Sequence, residues 1–148
     1  MQALEEARGH ERLARLVDDE KVLKWILSIA RDGKRIADVR IAALKVFTNI
    51  SAGPGCWSQA LVDYGMLPEM ISVVQEFSAG LHVRVQAIWC VSNICCEGAR
   101  LRDAVVDGVR AARGRPAYAR RGVWRSPRTA LHVCEMLTHT RARVRVRV

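Results

Sequence analysis

The segment VRIAALKVFTNIS, beginning at Val39, returns 44 residues later as VRVQAIWCVSNIC, beginning at Val83. Val39, Arg40, Ala43, Asn49 and Ile50 align as identities with Val83, Arg84, Ala87, Asn93 and Ile94. Without a gap the same offset lays QALVD (59–63) over DAVVD (103–107), giving eight identities in 25 positions. A fixed period constrains architecture more than any single segment does, because repeated units bury their apolar faces only by stacking on one another. A fainter echo upstream sets VDDEKVLKWILSI, from Val17, beside VDYGMLPEMISVV, from Val62. The chain reads as two units and a fragment.

Punctuation and spacing divide each unit into helices. After AGPG, a short helix over Ser58 to Asp63 is predicted to end at Gly65, since glycine takes the left-handed conformation that closes helices. Pro68 suits the first turn of a second helix, and Met70, Ile71, Val74 and Phe77 follow at helical spacing until SAG at 78–80. A third helix from near His82 is predicted to present Val83, Ala87, Ile88, Val91, Ile94 and Cys95 to the core. Three helices in a period of about 42 to 44 residues match the armadillo arrangement rather than ankyrin or tetratricopeptide repeats, whose periods are nearer about 33 or 34. The expected fold is therefore all-α: a fragment of an armadillo-repeat, right-handed α-solenoid, with about two repeats plus a partial one. Residues 1–108 form this domain, with a partial unit over 1–53, a full unit over about 54–97 and the start of another over 98–108.

Charge marks where the array stops. Up to Gly108 there are 13 Lys and Arg against 14 Asp and Glu; from Val109 onward there are 11 arginines against the single acid Glu135. Residues 109–148 thus read as an irregular, basic, low-complexity tail, solvated and able to meet the phosphate backbone of nucleic acid. The five cysteines are odd in number and contain no CxxC pair, as expected of reduced thiols in a core. His132, Cys134 and His139 match no zinc spacing. The charged start MQALEEARGHERLAR is unlike a signal peptide, and no run of about 18 apolar residues crosses a bilayer. The expectation is a soluble intracellular protein without membrane contact. Lacking a glycine-rich phosphate loop, an HExxH or a nucleophile paired with a base, the sequence points away from an enzyme and calls for no cofactor.

One stripe invites a ligand. Trp89, Asn93 and Glu97 stand four residues apart on the third helix, so an aromatic plate, an amide and a carboxylate share one face. Asn49 repeats Asn93 in phase. Packing alone does not ask for an amide where an apolar side chain is cheaper.

FTNISAG with QALVDYGMLP, followed by QAIWCVSNICCEGARLRDAVVDG, resembles the importin-α family, armadillo adaptors that bind nuclear localisation signals. The resemblance covers 39–108. It implies a nuclear import adaptor, in cytoplasm and nucleus, whose partners are lysine- and arginine-rich peptide signals of cargo proteins. Trp89 would lie along the stem of a cargo lysine, and Asn49 and Asn93 would grip the peptide backbone. Glu97, Gly53 and Ser58 would surround one ammonium. The family also implies importin-β as partner, although residues 1–38 balance acids and bases and show no basic importin-β-binding segment. Lys45 stands where the pattern asks for a second tryptophan, and only two asparagine rungs are present. Three other readings compete: a β-catenin-like scaffold holding acidic peptides on groove lysines, a nucleic-acid binder acting through the tail, and a degenerate copy without a ligand.

Overall fold

The computed structural model describes residues 2–113, so the arginine-rich segment from 114 onward, with His132, Cys134 and His139, lies outside the described residues. Among the described residues there are seven α-helices, one 3-10 turn and no strand, which makes the fold all-α. The helices are α1 (Gln2–Val17), α2 (Glu20–Arg31), α3 (Ala37–Ser51), α4 (Gly55–Asp63), α5 (Leu67–Gln75), α6 (Leu81–Cys96) and α7 (Ala99–Arg113). α1 lies against α4, α2 against α5, α3 against α6 and α4 against α7.

Local chemistry explains the boundaries. Asp19 caps α2 by accepting the Val22 N–H at 3.0 Å, and Leu23, Leu27 and Ala30 bury one face of that helix. α4 closes in a Schellman motif: Met66 N–H donates to the Leu61 carbonyl at 3.1 Å and Gly65 N–H to the Val62 carbonyl at 2.9 Å. Gly65 has φ of 73°, the left-handed region that the motif requires and that glycine alone adopts freely. Pro68 sits in the first turn of α5. That helix ends at Gln75, before the Phe77 that its spacing seemed to include, and a 3-10 turn (Phe77–Ala79) leads to Gly80 at φ 75°.

Equivalent helix boundaries fall 44 residues apart. α3 and α6 begin at Ala37 and Leu81, α4 and α7 at Gly55 and Ala99, and α2 and α5 end at Arg31 and Gln75. Side-chain hydrogen bonds recur at the same offset. Ser28 and Ser72 donate to the Trp25 and Glu69 carbonyls at 2.6 and 2.7 Å. Thr48 and Ser92 donate to those of Leu44 and Ile88 at 3.1 and 2.7 Å. Arg40 and Arg84 donate through Nε to those of Ala30 and Val74 at 2.8 and 2.9 Å. Buried Val17 and Leu23 likewise match buried Leu61 and Leu67, so the upstream echo runs at 44 residues, one less than the Val17 to Val62 alignment of the sequence.

The core is one contiguous cluster running from Val17 to Val105. On α6 it takes Val83, Ala87, Ile94 and Cys95 as expected, but Ile88 and Val91 are only half-buried. Cys90 is fully buried instead, its thiol donating to Met70 Sδ at 3.5 Å, because α5 packs on that side of α6. At the other end, α7 passes through Gly108 and packs Val109 and Ala112 against the core, so the break in composition at 108 is not a break in the helix.

Arg40 is 3% exposed and joins three elements. Besides the Ala30 carbonyl, its guanidinium meets both carboxylate oxygens of Glu76, at 3.3 and 2.5 Å. Removing Arg40, the buried member, strands the Ala30 carbonyl and leaves the partly exposed Glu76 carboxylate without its partner. Arg40→Ala is expected to cost about 3 kcal/mol of stability, read as a lower urea midpoint with unchanged slope. A loss below about 0.5 kcal/mol would show that solvent replaces the arginine without penalty.

Candidate functional site

The stripe on α6 forms as its spacing requires. Trp89 is 53% exposed, a large apolar surface on a helix otherwise engaged on both flanks by α3 and α5. Glu97 caps α6 with φ −78° and ψ −10°, so helical geometry carries the stripe through to its carboxylate. That carboxylate lies over the first residue of α4, where a Cβ added at Gly55 would stand 2.9 Å from Glu97 Oε2.

Asn93 turns toward α3. Its amide nitrogen donates to the Thr48 carbonyl at 3.4 Å and to Ser51 Oγ at 3.3 Å, while Thr48 Oγ1 reaches the Gln86 carbonyl at 3.5 Å. Both amide hydrogens are thereby used, leaving the Asn93 oxygen as its acceptor toward a ligand. Asn49 is exposed and keeps both donor and acceptor for one. Lys45, one turn before Asn49 and at the position matching Trp89, is exposed as well.

One of the expected residues plays another part. Ser58 is fully buried, its hydroxyl donating to the Ser51 carbonyl at 3.4 Å, so it lines no pocket. The reason is that the end of α3, with its unpaired carbonyls, is covered by α4 and needs an internal donor. Gly53 is glycine because Trp57 lies where a side chain would project: an added Cβ would be 2.5 Å from Trp57 Cε3. Trp57 in turn stacks on His10 of α1, ring centroids 4.6 Å apart. The sequence reading missed Ser51, the hub that receives Asn93 and Ser58; its signal was its place one helical turn beyond Thr48, itself matched by Ser92.

The face between α3 and α6 therefore presents Lys45 and Asn49 on one helix and Trp89 and Glu97 on the other, with the Asn93 oxygen between them. Such a surface can hold an alkyl-ammonium side chain against an indole and a carboxylate. Among the described residues no group of three His, Cys, Asp or Glu is placed to hold a metal ion, and no helix is long and apolar enough to cross a membrane. No protein-family model matches the chain, and no curated protein matches it.

Two measurements check this geometry. Gly53→Ala must displace Trp57 and is expected to cost about 1–3 kcal/mol by overpacking, seen as a lower melting temperature; an unchanged melt would mean the loop moves aside freely. Burial pushes the Cys90 thiol up to about 12 although Ser51 hydrogen-bonds to it, whereas Cys56 is exposed. At about pH 8, iodoacetamide followed by peptide mass spectrometry is expected to modify Cys56 and spare Cys90 until the protein unfolds.

Proposed function

We propose that the described residues are an armadillo-type α-solenoid segment, right-handed, whose α3–α6 face binds an extended, lysine-rich peptide. The solenoid reading is supported by helices that pack three places along the chain and by hydrogen bonds that recur every 44 residues. The ligand follows from one observation above others: an exposed tryptophan stands two turns from a carboxylate on the same stripe, with the in-chain hydrogen bonds of Asn93 between them. A peptide lysine laid along Trp89 places its ammonium toward Glu97 while its backbone meets Asn49 and the Asn93 oxygen. Neighbouring helices pack about 8–10 Å apart and an extended peptide advances about 3.3 Å per residue, so every second or third peptide residue meets a new asparagine.

With the resemblance to importin-α, this surface suits the recognition of nuclear localisation signals by an import adaptor between cytoplasm and nucleus, working by binding alone. Lys45 favours a second reading, a scaffold surface for acidic peptides, since it sets an exposed cation where the matching position on α6 has an indole.

Fluorescence titration separates them. A lysine-rich peptide is expected to bind more tightly than an acidic one, with Trp89→Ala weakening it by about 1–3 kcal/mol and leaving the circular dichroism unchanged. Lys45→Trp is expected to strengthen it. Tighter binding of the acidic peptide, abolished by Lys45→Ala, would instead establish the scaffold reading.

A further inference from the structure

Lys45 on α3 and Trp89 on α6 hold one place in the repeat. Arg40 and Arg84 fix the rotation of the two helices alike by reaching carbonyls of α2 and α5, and Ala43 and Ile50 are buried as Ala87 and Ile94 are, so the side chains at 45 and 89 leave on the same side. Both are exposed. The seam between the helices runs beside them. Thr48, one turn after Lys45, meets the Gln86 carbonyl one turn before Trp89 at 3.5 Å and accepts from Asn93, one turn after Trp89, at 3.4 Å. Residues three and four away from Lys45 on α3 are Ile41, Ala42, Thr48 and Asn49, none of them acidic, and Lys45 has no ion-pair partner among the described residues.

We propose that Lys45 makes this groove selective for a peptide of mixed sign, in which an aspartate or glutamate stands two or three residues to one side of the lysine held by Trp89. The inference rests on the peptide reading above and adds to it a second subsite of opposite charge. Charge complementarity names the occupant. Along α6 the indole is followed by the Glu97 carboxylate, whereas across the seam the matching place offers an ammonium on a flexible stem. Helices about 8–10 Å apart and an advance of about 3.3 Å per extended residue set the two peptide side chains two or three residues apart. A second peptide lysine at that place meets a like charge, and a carboxylate meets an opposite one. An unbroken run of lysines is therefore a poorer ligand than the same run carrying one acid there.

Fluorescence anisotropy with the full chain and labelled peptides of one length tests this: a lysine among serines, the same peptide with glutamates two and three residues before the lysine, the same with them after it, and an all-serine control. Glutamates on one flank are expected to tighten binding about threefold, as an exposed ion pair does, and those on the other flank to give no gain, because Lys45 lies on one side of Trp89 only. The 11 arginines from Val109 onward attract an acid on either flank alike, so the difference between flanks isolates Lys45. Lys45→Ala, an exposed substitution with the parent's circular dichroism, is expected to erase that difference, and Lys45→Glu to reverse its sign. Equal binding of the two glutamate peptides by the parent, or a difference that survives Lys45→Ala, would overturn the proposal while leaving the lysine subsite standing. A lysine peptide no tighter than the all-serine control would sink the peptide reading and this inference together.

Discussion

The Arg40 guanidinium is the joint on which the described structure turns. It closes the corner between α2 and α3 by meeting the Ala30 carbonyl, and it reaches forward to Glu76 at the end of α5, so one side chain sets both the angle within a helix pair and its spacing from the next. A cation so deeply buried is tolerable only with its charge and its donors met. Arg84 repeats the first half of the device, donating to Val74 across the corner between α5 and α6. The aligned identities Val39-Arg40 and Val83-Arg84 thus mark a corner that the backbone cannot hold alone.

The seam between α3 and α6 shows one residue type held inside the structure at one position and left open at the other. Asn93 spends its donors on Thr48 and Ser51 and so holds the two helices in register. Asn49, at the matching position, has no such duty and is exposed. Identical residues in phase therefore do not offer a ligand identical groups: one presents an acceptor, the other a whole amide.

Much of the fold was legible in the chain. Gly65 stops α4 and Pro68 starts α5 because backbone conformation there follows from residue type. What escaped depended on tertiary partners. α5 stops at Gln75 although Phe77 continues its spacing, because Glu76 leaves the helix in an extended conformation and pairs with Arg40. The upstream echo seemed shifted by one residue because Val17-Asp18 and Val62-Asp63 look alike, while burial sets Val17 with Leu61. Of the site, the Trp89, Asn93 and Glu97 stripe follows from helical period alone. The burial of Ser58 does not, since it answers a carbonyl that loses its water only once α4 has folded over the end of α3.

Hydrogen bonds between helices in this chain bridge short stretches of sequence: Tyr64 to Val17 spans 47 residues, Asn93 to Thr48 spans 45 and Arg40 to Glu76 spans 36. None of these clamps the first helix to the last. Under tension along its described helices, such a segment has no single latch among these bonds whose rupture frees everything at once. It yields by peeling, outer helices leaving before α3 and α6 part, so that it behaves as a compliant spring rather than a brittle link.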